Sequence, residues 1–165
     1  MHALILGAAG MIGRRLVDAL VKDGQVGGQM LSALTLLDVV PPAAPEGFSG
    51  PVRAEAADLT APGAAEAAIA GRPGVIFHLA AVVSGEAEAN LELGYRVNLD
   101  GTRLLLDAIR AANVADGYRP KLVFTSSLAV FGPPFPKVIP DDHILRPASS
   151  YGVQKAMGEL MLADY

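Results

Sequence analysis

Tyr151 and Lys155 stand four residues apart in Tyr151-Gly152-Val153-Gln154-Lys155. On a helix that spacing sets both side chains on one face. A cation held beside a phenol favours the phenolate and lowers its pKa. A tyrosine so tuned can take the proton of a substrate hydroxyl while hydride leaves the carbon. An isolated Tyr–Lys pair on a helix is commonplace, so this one gains meaning only from its company. About two dozen residues upstream, Thr125-Ser126-Ser127 ends an apolar run. A hydroxyl there can hydrogen-bond the reacting oxygen and hold it beside Tyr151; as a bare structural feature, strand-end serines start a loop. Asn98, in Asn98-Leu99-Asp100-Gly101-Thr102, falls within a long helical pattern. A buried amide there can tether water or backbone near Lys155, or simply bend the helix.

A second group suits a dinucleotide. Gly7-Ala8-Ala9-Gly10-Met11-Ile12-Gly13 joins the first apolar run to the first helical pattern. Gly7 permits a tight turn, Gly10 lets the backbone approach a pyrophosphate, and Gly13 lets helix and strand pack closely. Met11 and Ile12 open the helix, whose N-terminus offers N–H groups and partial positive charge to phosphates. The spacing is G-x-x-G-x-x-G, one residue longer than the common dinucleotide fingerprint. Asp38 ends the second apolar run, where a carboxylate can accept hydrogen bonds from the adenosine ribose and repel a 2′-phosphate. No Lys or Arg follows in Val39-Val40-Pro41-Pro42, which selects NAD over NADP; Arg14 is the cation nearest to opposing that choice. Asp58-Leu59, closing the third run, can approach the adenine amine or cap a helix.

These residues must be positioned by a scaffold, and the hydrophobic pattern supplies one. Short apolar runs at 3–6, 34–37, 52–56, 75–77 and 121–124 alternate with helical patterns at Met11–Lys22, Leu91–Ala112 and Ser149–Asp164. Runs this apolar suit strands buried on both faces of a parallel sheet. The alternation predicts a doubly wound α/β fold, a Rossmann-type NAD(P)-binding domain over 1–165. The segments 41–51 and 132–147 are rich in proline and read as loops. Five strands against the six of a full dinucleotide fold lead us to expect that a C-terminal substrate-binding part is lacking.

Composition narrows the function classes. Hydrophobic residues make up 52% and charged residues 18%, enough to bury a core. The formal net charge is −4 with no long run of either sign, which argues against nucleic acid and anionic membranes as partners. There is no cysteine, so disulfides and thiolate chemistry are excluded, and the three histidines are too scattered to imply a metal. His78 reads as a packed strand-end residue lining the cofactor cleft. No targeting segment or membrane-spanning run is visible, and we expect a cytoplasmic protein.

The glycine turn, the strand-end Asp38, His78-Leu79-Ala80-Ala81, Asn98, Ser127 and Tyr151/Lys155 occur in an order that resembles the extended short-chain dehydrogenases/reductases, the NAD-dependent epimerase/dehydratase family, along the whole chain. The resemblance implies that Leu79, Ala80 and Ala81 contact NAD, as do Asn98, Tyr151 and Lys155. In that family the catalytic hydroxyl precedes an A-x-V-[YF]-G-like stretch; Leu128-Ala129-Val130-Phe131-Gly132 follows Ser127, which selects Ser127 over Ser126. Phe131 stands where many members have tyrosine, weakening the analogy with nucleotide-sugar epimerases. The stretches 7–13, 35–40, 47–50, 82–88 and 149–165 are similar to a sugar-acid dehydrogenase branch. That likeness implies oxidation of D-erythronate at C2 to 2-oxo-tetronate, with Tyr151 as base, Ser127 holding the oxygen, Lys155 on the nicotinamide ribose and Asn98 completing a proton relay. It also implies that Val82 to Glu88 faces the substrate, with Ser84 as a contact, and that the 91–112 and 149–165 helices form a homodimer interface. The rival readings are an epimerase or dehydratase that returns the hydride, and a truncated NAD-binding module without activity of its own.

Overall fold

The computed structural model describes residues 1–165. The chain divides into two compact units: residues 1–80 with 107–125, and residues 81–106 with 126–165.

The first is a sheet unit. Five parallel strands are ordered β5-β4-β1-β6-β7, with β1 His2–Leu6, β4 Ala33–Asp38, β5 Val52–Ala56, β6 Val75–His78 and β7 Lys121–Phe124. Strand β1 is central because all of Ala3 to Leu6 is apolar, and these residues are buried on both faces. It pairs with β4 through Leu6↔Leu37 and with β6 through Leu6↔His78. The strand ends carrying Leu6, Asp38 and His78 therefore align at one rim of the sheet. The order reverses at β1, which makes the rim between β1 and β6 the switch point where such folds hold ligands. Helix α1, Met11–Asp23, buries Gly13, Val17 and Leu20 and stops at Gly24 in the left-handed region (φ 64°). Val17 and Leu20 join Ala3, Ile5, Leu34, Leu36 and Val75 in one apolar core. The short helix α2, Ala64–Ile69, also belongs here.

The second is a helical unit. It contains α3 Ser84–Ala89, α4 Leu91–Gly94, a π-helical turn Tyr95–Asp100, a 3₁₀ turn Leu128–Val130, and α6 Ser150–Asp164. Helix α6 packs against α3, α4, the π turn and the 3₁₀ turn. Helix α5, Gly101–Asp116, continues from the π turn.

Several expectations need correction. The single helix anticipated over 91–112 is α4, the π turn and α5 in succession, because a residue is accommodated near Asn98 that α-helical winding cannot place. Strands β5 and β7 are not buried on both faces: they are the sheet edges, and Val123 is 44% exposed. Strand β5 ends at Ala56, so Asp58 lies beyond it, where Oδ1 accepts from the Thr60 N–H (2.9 Å) and hydroxyl (2.7 Å). That is a side-chain-stabilised turn and not a helix N-cap, since α2 begins at Ala64. A hairpin of β2 Gln25–Val26 and β3 Gln29–Met30, helix α2 and helix α3 were not anticipated; each is too short to show a period in sequence.

Candidate active site

The sheet unit builds its site largely from backbone. Gly7 follows β1 with φ 87°, and a β-carbon there would lie 2.7 Å from Ala80 N, so the turn after β1 is pressed against Leu79-Ala80 after β6. Gly13 is more restricted still: a β-carbon would come within 2.1 Å of Gly7 O. Gly10 caps α1 without a side-chain bond, and no acidic residue lies in the first turn. Met11 and Ile12 are exposed on that turn. An uncapped helix start with no acidic residue in its first turn fits a pyrophosphate, which would find N–H donors there. Asp38 closes the arrangement: its Oδ2 accepts from Ala9 N–H at 2.9 Å and its Oδ1 from Val40 N–H at 3.4 Å. The carboxylate is thus aimed by the turn it serves. His78 is 1% exposed and packs its ring against Phe124, 5.7 Å between centroids. Arg14 lines a cavity of about 500 Å³ beside α1 together with Asp18, Lys22 and Glu46, so its charge faces acidic as well as basic neighbours.

The helical unit builds its part from buried polar side chains. Ser149 caps α6 by accepting from Gly152 N–H (3.1 Å), which fixes where the helix starts. Tyr151 and Lys155 then fall one turn apart, with Lys155 Nζ 5.9 Å from the Tyr151 ring centroid. Lys155 is 2% exposed, and burial pushes its ammonium down to about 8. Ser127 caps the 3₁₀ turn, its Oγ accepting from Ala129 N–H at 3.2 Å. That bond uses a lone pair and leaves the O–H as a donor. Ser126 instead donates to Glu159 of α6. Asn98 is 1% exposed. Its Oδ1 accepts from Val82 N–H (2.8 Å), and its Nδ2 donates to Val82 O (3.1 Å) and Gln154 Oε1 (2.7 Å). The amide tethers the backbone of Val82 and sits within the π turn. Ser84 is the exposed first residue of α3.

In this way the structure groups Gly7, Gly10, Met11, Ile12, Gly13, Asp38, Leu79 and Ala80 around one rim of the sheet unit, whereas Asp58 and Leu59 lie past the end of β5. Ala81, Ser84, Asn98, Ser127, Tyr151 and Lys155 belong to the helical unit. Sequence reasoning missed Gln154, Glu88 and Glu159, whose side chains join α3, the π turn and the segment after β7 to α6. A glutamine adjoining Lys155 on a helix stretch otherwise inward-facing through glycine and alanine was the available signal.

Residues 3–165 match the NAD dependent epimerase/dehydratase family. The chain belongs to that family. Among its relatives is a D-erythronate dehydrogenase of Cupriavidus necator, 48% identical over the whole of this chain and 50% of the relative. Another is a D-erythronate dehydrogenase of Haemophilus influenzae, 38% identical over the whole of this chain and 50% of the relative. The crystal structure of a nucleoside-diphosphate-sugar epimerase from Agrobacterium tumefaciens superposes with a TM-score of 0.98 at 61% identity, covering all of this chain and 48% of that one. The chain therefore spans about half the length of the epimerase/dehydratase relatives it matches. No helix is long and apolar enough to cross a membrane.

Proposed function

We propose that this chain is the nucleotide-binding portion of an NAD-dependent dehydrogenase that oxidises a sugar acid, D-erythronate at C2 to 2-oxo-tetronate. The observation that carries the reading is the buried Lys155 ammonium held over the Tyr151 ring on one helix, in a family member whose relatives include two D-erythronate dehydrogenases. NAD, held by the glycine turn and Asp38, supplies the hydride acceptor. Tyr151 removes the C2 hydroxyl proton, aided by the neighbouring cation. Ser127 donates its O–H to the same oxygen and orients it. Lys155 binds the nicotinamide ribose. Asn98 holds the backbone of Val82 at the base of the substrate-facing segment, where Ser84 is the proposed contact. The products are the 2-oxo acid, NADH and one proton. Exposed Leu91 and Leu160 support self-association through their elements.

A second reading is favoured by the 61% identity to the Agrobacterium structure named as a sugar-nucleotide epimerase. An epimerase returns its hydride, so net NADH formation separates the two. The test is NADH absorbance from D-erythronate with the protein as its gene encodes it, using Tyr151→Phe as control. Steady NADH production lost in the control supports the dehydrogenase; NAD binding without net reduction supports the epimerase.

A further inference from the structure

Gln154 lies between the proposed base and its lysine, yet no step of the chemistry above uses it. It is fully buried. Its Nε2 donates to Ser150 Oγ at 3.0 Å, and its Oε1 accepts from Asn98 Nδ2 at 2.7 Å. Space for the amide is made by Gly94, where a β-carbon would sit 2.6 Å from Gln154 Nε2. Asn98 passes the constraint on, holding both the N–H and the C=O of Val82. Thr102 Oγ1 donates to Asn98 O at 2.8 Å, bracing the π turn from its other end. Six residues beyond Val82, Glu88 Oε1 accepts from the Tyr151 N–H at 2.8 Å. The segment from Val82 to Glu88 is therefore tied to α6 at both ends, indirectly through Gln154 and directly at Tyr151.

We propose that Gln154 and Glu88 are positioning residues that hold the substrate-facing segment 82–88 in register with the helix carrying Tyr151 and Lys155. A buried amide with two partners is suited to this, because removing it leaves one N–H of Asn98 Nδ2 without an acceptor and loosens the amide that holds Val82. Glu88 completes the clamp from an exposed position, so its loss need not unfold the protein.

The activity arm of the test rests on the dehydrogenase reading; the exchange arm does not. In the full natural protein, Gln154→Met lowers kcat/KM for D-erythronate by about ten- to a hundredfold, as misplacement of substrate-bearing groups does. The KM for NAD stays within about twofold. Glu88→Ala lowers the same ratio by several-fold, while Glu88→Gln, which retains an acceptor oxygen, restores it. Hydrogen exchange of the Val82 amide accelerates in Gln154→Met at least about tenfold, while that of Ile5 in β1 is unchanged. A purely structural role would lower the melting temperature but leave kcat/KM of the folded protein intact, and that result overturns the proposal. Unchanged Val82 exchange overturns it as well. Should Gln154→Met fail to fold, the Glu88 pair decides. If wild type fails to oxidise D-erythronate, the substrate assignment falls and the exchange of Val82 still decides the clamp.

Discussion

The sheet unit and the helical unit fix their candidate site residues by opposite means. In the sheet unit the critical positions are ones where side chains are missing: Gly7 and Gly13 cannot accept even a β-carbon without meeting backbone. Its core is almost wholly apolar, and Asp38 is aimed by main-chain N–H groups. In the helical unit the buried polar or charged side chains are Asn98, Thr102, Gln154 and Lys155, and hydrogen bonds link the first three. Steric exclusion tolerates no substitution at a few points and is indifferent elsewhere. A polar network distributes its demands, and each member matters through its partners. The first arrangement suits a ligand recognised by its phosphates; the second suits a reaction in which protons must be held at defined atoms.

The contrast is open to direct attack, and Tyr151→Phe is the largest blow. It removes the hydroxyl of the proposed base while leaving the ring beneath Lys155, so kcat falls about a thousandfold. NAD affinity, measured by calorimetry, holds within about twofold. A variant that keeps most of its rate would dismiss Tyr151 as the base. Gly13→Ala strikes the other unit. The added methyl meets Gly7 O and the Ala8 backbone, which have no side-chain freedom with which to yield. We expect NAD affinity to drop about a hundredfold and unfolding to become easier by about 2–4 kcal/mol. Normal NAD binding by Gly13→Ala would show that steric exclusion does not govern this site.

Asp38→Ala sharpens the picture more gently. Loss of a charge-assisted acceptor weakens NAD by about tenfold and narrows the preference over NADP. Equal affinity of wild type for both dinucleotides would end that account. The smallest effect is thermodynamic. Burial lowers Lys155 from 10.5 to about 8. Between pH 8 and 10.5 the unfolded chain therefore carries the proton that the folded one has shed, so this group makes stability rise with pH across that window. Below pH 8 Lys155 is charged in both states and its full burial penalty applies. Lys155→Met is accordingly stabilised relative to wild type in cofactor-free protein at pH 7, with the difference shrinking toward pH 10, as thermal melts at the two pH values would reveal. A pH-independent difference would mean that Lys155 is not desolvated as the structure indicates.

Much of the sheet unit was legible in the residues. The all-apolar run at 3–6 announced a central strand, the glycine spacing announced the turn, and Asp38 announced a strand end. Those features are local, since periodicity and glycine placement act over a few residues. The edge strands were misjudged because a strand's place in the sheet is a property of its neighbours. The helical unit was readable only as motifs. The Tyr151–Lys155 spacing was visible, but Gln154, Glu88 and Glu159 bond across 56, 63 and 33 residues of chain. No window along the sequence registers a partner at that distance. The π turn was hidden for a different reason: its composition is that of an ordinary helix, and only the winding differs.

That winding has a genetic corollary. A π turn behaves as an α-helix carrying one surplus residue. Deleting a single codon between Tyr95 and Asp100 would restore regular α-helical winding, and the chain would still fold locally. Each residue on one side of the cut would, however, swing by about 100° about the helix axis relative to the other side. Asn98 could no longer address both Val82 and Gln154. Point substitutions along this stretch should thus be borne unevenly, position by position, whereas any change of its length should be rejected outright, making segment length the heritable trait under the strictest constraint.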